Sequence, residues 1–294
     1  MQRENQTKFI LLELIAVCFC ASSGVFVRYS ALGPVNTAFY RMLFALPMLY
    51  LLARKDLKGL TRREVGQLLL AGVFFAGDII LFNLSVTKTA IANTNLFTNL
   101  TIFTVVPVSA LIFKERIPKH LFTGAAVTLA GVVLLVLGKA EPSSSGYVGD
   151  LLACGASVFY GLYLLVSYRL RERFSGHVIT FFCIISCLFV MPLYFVPVEG
   201  MQIPHGFAEL WPLLGLAVCL QVFGHNLMAY CQGKVSVNLS SIICLTQPAV
   251  AALYSLTFFG EKLTWMEIAG ICIVVAGVYI VKHQYSDKKA ERVK

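Results

Sequence analysis

The segment LIFKERIPKHLFTGAAVTLAGVV, residues 111–133, aligns without a gap to TFFGEKLTWMEIAGICIVVAGVY, residues 257–279, at an offset of 146. Phe113/Phe259, Glu115/Glu261, Gly124/Gly270, Ala130/Ala276, Gly131/Gly277 and Val132/Val278 are identical, and Arg116/Lys262 keeps a cation. Apolar helices match easily by chance, so the Val pair carries little. The Glu and Gly pairs carry more, because they fall in a polar connection and at defined helix positions. The same offset pairs Lys88 with Lys234 and Thr101 with Gln247. A long-period repeat constrains architecture before any single element does.

Around this repeat the chain is 294 residues long, 58% hydrophobic and 13% charged, with a mean hydropathy of +0.77. A soluble domain is about half apolar and a quarter charged, so an ordinary globular fold is excluded. Apolar runs fall at about 9–27, 35–53, 65–86, 90–113, 120–138, 148–168, 177–197, 209–231, 236–259 and 264–281. A membrane helix takes about 20 apolar residues. Ten such spans leave short loops and no room for a large catalytic or regulatory domain. Barrel strands alternate and are about ten residues long, so the runs are helices and the expected fold is an all-α integral membrane bundle. The first run, Phe9 to Val27, is too long for a signal-peptide core and lacks a small-residue cleavage site, so it is expected to stay as a span.

The net charge of +9 raises nucleic-acid binding, which requires a basic stripe on a folded face. Here the basic residues lie between apolar runs instead. With the N-terminus inside, 19 of the 24 Lys and Arg residues fall in inner segments, including Arg54, Arg62, Arg63, Arg169, Arg171 and Arg173. Arg28, Lys88, Lys139 and Lys262 fall outside, and Arg41 lies within a span. The positive-inside rule therefore expects both termini to be cytoplasmic in a cell (inner) membrane. The nine cysteines all sit in apolar stretches without ligand spacing and read as packing residues.

Each half holds five spans, an odd number, so equivalent segments enter the membrane in opposite directions. The expected domains are a first repeat, 1–140, a second, 147–283, and a basic tail, 284–294. Inverted repeats are typical of secondary transporters and place the substrate site near the midplane between the halves.

Two five-span halves, each ending in an aromatic residue, Glu followed by Arg or Lys, and a Gly-x6-Gly helix, resemble the EamA-type family of the drug/metabolite transporter superfamily. The stretch GPVNTAFYRMLFALPMLYLL, residues 33–52, with Arg41 in the second span, is similar to that family's first-half pattern. The resemblance covers nearly the whole chain and implies export or exchange of small metabolites, amino acids or drugs without a bound cofactor. The second half departs from it: near Pro192, which matches Pro47, Ser186 stands where an arginine would fall, so any role of Arg41 is asymmetric.

Ionisable residues at membrane depth are costly and mark candidate sites. Asp78 lies near the middle of the third span and His225 near the middle of the eighth; the offset carries Asp78 to position 224, so the two are almost repeat-equivalent. One reading is that they change protonation during transport and couple it to protons. The other is that both are satisfied packing groups. Arg41, about 10 Å from the end of its span at 1.5 Å per residue, suits a substrate carboxylate or a structural pin between helices. Glu13, about a turn into the first span, is expected to be solvated at the inner interface.

The fourth span carries Asn93, Asn95, Thr98, Asn99, Thr101 and Thr104 before Pro107. The ninth carries Asn238, Ser240, Ser241, Thr246 and Gln247 beside Pro248. Asn95 and Asn99 share a helix face. Pro107 and Pro248 are expected hinges, since proline frees a carbonyl one turn earlier. These groups suit a polar or zwitterionic solute, or else join helices by amide hydrogen bonds. Asn226 completes the candidate set beside His225. Tyr163, with Phe39, Tyr40, Phe74 and Phe75, is a candidate aromatic wall and equally ordinary filling. The faces bearing Gly124, Gly131, Gly270 and Gly277 are expected to pack closely, within one chain or at a dimer interface.

An intramembrane aspartyl protease needs two facing carboxylates, and Asp78 is the only mid-span Asp; no HExxH or GxSxG motif occurs. No ring of matching charges suggests a channel. The expectation is therefore a non-enzymatic secondary carrier with no cofactor or metal, its partners a small-molecule substrate, the lipid bilayer and protons, working as a monomer or homodimer. An intramembrane enzyme or a non-transporting scaffold is the alternative.

Overall fold

The computed structural model describes residues 2–86, 88–89, 94, 97–113, 119–139, 147–232, 234–260 and 262–291. Among them every regular element is helical: α1 (Gln2–Ala21), α2 (Ser23–Tyr29), α3 (Pro34–Ala53), α4 (Arg62–Val86), α5 (Thr101–Phe113), α6 (Lys119–Lys139), α7 (Tyr147–Leu170) and α8 (Gly176–Val198). There follow α9 (Phe207–Gly215), a π-helical segment (Leu216–His225), α10 (Asn226–Gln232), α11 (Val237–Cys244), α12 (Gln247–Phe259) and α13 (Trp265–Glu291). Among the described residues seven stretches are long and apolar enough to cross a bilayer, and shorter apolar helices occupy Thr101–Ile112, Thr123–Gly138 and Trp265–Ile280.

Local chemistry sets several of the starts. Pro34 opens α3, where its missing N–H costs nothing and its fixed φ suits a helix. Thr61 and Glu64 cap α4 reciprocally, the Thr61 N–H and hydroxyl donating to Glu64 Oε2 at 2.8 and 2.7 Å. Thr264 and Glu267 repeat the device at α13, with the Thr264 N–H donating to Glu267 Oε2 at 2.8 Å. Ser236 caps α11 by accepting from the Leu239 N–H.

Helical runs break at two places related by the sequence offset. Asn99 and Leu100 interrupt the run before α5, where the Leu100 N–H bonds the Phe97 carbonyl at 3.1 Å. Leu245 and Thr246 interrupt it before α12, where the Thr246 N–H bonds the Ile243 carbonyl at 3.0 Å. Both are tight three-residue turns of the kind that marks hinges. Pro248 lies in the first turn of α12, just beyond its break, whereas Pro107 lies inside α5, which continues without a break to Phe113.

The helices pair across the chain. α6 packs along α13, α3 along α8, and α4 against α7 and α8. α1 packs against the π segment, α10, α11 and α12; α3 also meets the π segment, and α5 meets α7. The glycine faces meet each other within this one chain: a Cβ at Gly131 would come within 2.8 Å of the Gly270 carbonyl oxygen, and one at Gly277 within 2.7 Å of Thr128 N. Two apolar cores result. One joins α3, α4, α7 and α8 around Met42, Leu68, Ile179 and Met191. The other joins α1, α6, the π segment, α11 and α13 around Val17, Leu220, Ile243 and Val274. Neither follows the division into sequence halves.

Candidate functional site

Four elements converge on one interior region that includes Phe75 and Tyr163 of the first core. α3 brings Arg41, α4 brings Phe75 and Asp78 three residues apart on one face, α7 brings Tyr160 and Tyr163, and the π segment brings Gln221 and His225. Phe75 joins them: its ring centroid is 4.8 Å from that of Tyr163 and 5.0 Å, edge-on, from that of His225. Tyr160 stands 5.8 Å from Tyr163, and its hydroxyl donates to Met228 Sδ at 3.6 Å. The aromatic wall expected at Tyr163 and Phe75 is therefore brought together with His225. Phe39 packs on Phe195 and Tyr40, and Phe74 on Phe159, as filling between helices.

Arg41 lies within Coulombic range of Asp78 and His225, and of the Cys20 and Cys187 thiols. It forms no ion pair with Asp78; among the described residues the one ion pair is the exposed Arg169–Glu172, at 3.0 Å. Arg41 and Asp78 thus interact through space without forming a salt bridge. Arg41 Nε, His225 Nδ1 and both amide atoms of Gln221 are buried and without a hydrogen-bond partner among the described residues. Gln221 has no exposure at all. Each such group costs about 1–3 kcal/mol if nothing meets it, so a cluster of them calls for a ligand or water. Gln221 and His225, four apart, share a face, and they lie in a π turn in which the Asn226 N–H bonds the Gln221 carbonyl, five residues back; π turns recur at functional sites.

Other expected site residues sit elsewhere. Asn226 is buried and committed to His177, with 2.9 Å between Oδ1 and Nδ1. Gln247 is half-buried in the first turn of α12, beside the break, and Asn99 stands at the matching break before α5. Asn93, Asn95, Glu115 and Glu261 lie outside the described residues. Ser186, the counterpart of Arg41, is a packing group whose hydroxyl donates to the Leu69 carbonyl at 2.8 Å, in keeping with an asymmetric arginine.

Glu13 corrects the sequence reading. It is fully buried rather than solvated, because α1 begins at Gln2 and carries it three turns into the bundle. Ser240 of α11 donates a hydrogen bond to Glu13 Oε1, and Oε2 has no partner among the described residues. Gln221 and Tyr160 were also missed. A glutamine in an apolar run signals its interest only weakly, and a tyrosine not at all.

Polar joints close each end of the bundle. At the end away from the basic loops, Glu199 accepts from the N–H groups of Val35 and Asn36 at 3.3 and 3.2 Å and from Asn36 Nδ2 at 2.9 Å. Gly33 N–H donates to Gln202 Oε1 at 2.6 Å, and Gln202 N–H to Asn36 Oδ1 at 3.2 Å. A carboxylate on the first N–H groups of α3 also meets the positive end of its dipole. At the basic end Arg171 donates to the carbonyls of Phe174 and Tyr230, and burial lowers its guanidinium from the ordinary arginine value.

Fold and site together define a multi-pass, all-helical membrane protein with a charged and aromatic interior. The chain belongs to the EamA-like transporter family, whose sequence profile matches residues 7–137 and 147–282. It is similar to an uncharacterised transporter of Clostridium kluyveri, 26% identical over 97% of this chain and 95% of that protein. The pseudopaline exporter CntI of Pseudomonas aeruginosa is 23% identical over 91% and 93% of the two chains. The threonine/homoserine exporter RhtA of Salmonella typhimurium is 24% identical over 58% of this chain and 57% of its own. A solved crystal structure shares the fold, with a TM-score of 0.81 at 16% identity, covering 94% of this chain and 96% of the other.

Proposed function

We propose that this protein is a secondary carrier that exports a small zwitterionic metabolite, an amino acid or a related compound, by alternating access. The observation that carries the reading is the pair Arg41 and Asp78, opposite charges in mutual range and not joined. A zwitterion satisfies both at once: its carboxylate takes the planar fork of Arg41, its ammonium takes Asp78. Gln221, His225 and Tyr163 are the proposed further contacts, with Asn99 and Gln247 at the helix breaks; Asn95, outside the described residues, is proposed with them from the sequence alone. Asp78 and His225 are the proposed proton-coupling groups. Pro107 and Pro248 are the proposed hinges; Pro248 adjoins its interruption at Leu245–Thr246, whereas Pro107 lies inside the continuous α5. The exporters among the relatives, one for threonine and homoserine and one for pseudopaline, support both substrate class and direction.

The architecture proposed with this function is ten spans in two inverted five-span repeats, 1–140 and 147–283, with a basic tail at 284–294 and both termini cytoplasmic in the inner membrane. Two features support it. The helix breaks recur at the offset of 146 found in the sequence. The neighbour pattern also survives exchange of the halves: the first span meets the eighth as the sixth meets the third, and the second meets the eighth as the seventh meets the third. The glycine faces pack within the chain, so a dimer, if one forms, uses another surface; the working unit proposed is a monomer or homodimer.

The test is counterflow of labelled threonine or homoserine in proteoliposomes holding the purified protein. A carrier shows saturable exchange, and Asp78→Asn abolishes uptake driven by a pH gradient. Unchanged transport and coupling in that variant sinks the role of Asp78. Absence of counterflow for every amino acid tried sinks the substrate class.

A further inference from the structure

A cleft of about 650 Å³ opens between the basic end of α4 and the far end of α5. It exists because α4 and α5 both rest on α7 but barely touch each other among the described residues. α7 forms the floor with Leu162, Leu165 and Val166; Leu70 and Ile112 form the walls. Leu70 is 47% exposed and Ile112 60%, a poor arrangement in water and an ordinary one against hydrocarbon. Arg63, Arg169 and Arg173 stand at the rim with Glu64 and Glu172.

The acidic groups at the rim are already committed. Glu64 closes the capping box with Thr61, and Glu172 pairs with Arg169. The side chains of Arg63 and Arg173 donate no hydrogen bond among the described residues; Arg173 feels Glu64 only through space. Two guanidiniums with no hydrogen-bond partner among the described residues therefore sit above an apolar trough at the end of a membrane bundle. That combination matches one ligand chemistry: a phosphodiester with an acyl chain. The guanidinium fork takes phosphate oxygens, the trough takes the chain, and basic pockets between membrane helices are where anionic headgroups settle.

We propose that this cleft is a binding site for an anionic phospholipid, its phosphate held by Arg63 and Arg173 and one acyl chain laid along Leu70, Ile112 and Val166. The site stands apart from Arg41, Asp78 and His225, and it depends only on the chain being in a membrane. Removal of both charges weakens binding about 30-fold, at about fivefold for each basic residue near an anionic surface.

The experiment is native mass spectrometry of the full chain released from nanodiscs of mixed phosphatidylglycerol and phosphatidylcholine, with thermal stability followed as each lipid is titrated. The wild type should retain one phosphatidylglycerol per chain in preference to phosphatidylcholine and be stabilised by it. The double variant Arg63→Gln/Arg173→Gln should lose both effects, while Lys58→Gln, an exposed cation at the same end but outside the cleft, should keep them. Ile112→Trp, which fills the trough and leaves the rim charges, should also lose the retained lipid. Equal retention of phosphatidylcholine, equal loss in Lys58→Gln, or full retention in the double variant overturns the site. Glycerol phosphate serves as the chain-free probe; if it stabilises the protein as well as phosphatidylglycerol does, the ligand is a free phosphate and the acyl trough is overturned.

Discussion

Ser240 and Glu13 show how much a single hydrogen bond can carry in an apolar interior. They stand 227 residues apart in sequence, and the hydroxyl is the one described partner of a carboxyl group with no exposure. Ser240→Ala leaves that group with nothing and is expected to lower stability by about 1–3 kcal/mol, the usual cost of orphaning a buried polar group. Glu13→Gln keeps shape and a bond to Ser240 and should cost clearly less. Thermal unfolding of the purified variants in one detergent decides it; equal losses would show that the bond is not what matters. Asp78, Arg41 and His225 were legible in the sequence because an ionisable residue interrupts an apolar run visibly. Glu13 was visible but misplaced, since its depth depends on where α1 begins, and the polar and charged residues from Gln2 to Lys8 hid the first two turns of that helix. Gln221 was not legible. Its significance comes from a π turn that no propensity announces, and from neighbours supplied by α1 and α3.

At the scale of elements, α6 and α13 hold each other through backbone contact rather than interlocking side chains. A Cβ added at Gly270 would come within 2.8 Å of both the Gly131 carbonyl oxygen and Leu135 N, atoms that cannot move without moving a helix. Gly270→Val is therefore expected to cost at least the 1–3 kcal/mol usual for overpacking and to separate the two helices. Gly24→Ala in α2, where nothing lies within 4 Å of the added carbon, is the control and should be neutral or slightly stabilising. A fluorescence-monitored thermal melt distinguishes them, and equal melting points would refute close packing at Gly270. The glycine pairs were legible as a packing face because of their spacing, but whether one chain or two supplied the partner was open until α6 and α13 were seen together. Helix breaks were less legible. Proline drew attention to positions 107 and 248, yet the interruptions fall at Asn99–Leu100 and Leu245–Thr246. In α12 proline only opens the helix, and in α5 the chain absorbs it.

For the whole molecule, the class of fold followed from composition and the offset of 146, because hydrocarbon forces every apolar run into a helix. What could not be read was how the ends are held, since those bonds join residues far apart in the chain. Glu199 and Gln202 reach the start of α3 from the end of α8 and clamp it through Gly33, Val35 and Asn36. The same two helices carry Arg41 and Cys187, so the clamp sits directly above the charged interior. If the carrier alternates, a solute can leave Arg41 toward that end only when α3 and α8 part there, which breaks these bonds together. A covalent tie across the joint should then hold the interior shut on that side. Leu32→Cys and Met201→Cys flank the joint, and Cys272→Ser removes the exposed native thiol. Treatment with a short, membrane-impermeant, reducible bis-thiol reagent is expected to take counterflow of the preferred amino acid down to the level of empty liposomes. Reduction should restore it, and each single-cysteine variant should be unaffected by the reagent. Undiminished counterflow in fully cross-linked protein means that α3 and α8 need not separate at this end, and the pathway from Arg41 runs elsewhere.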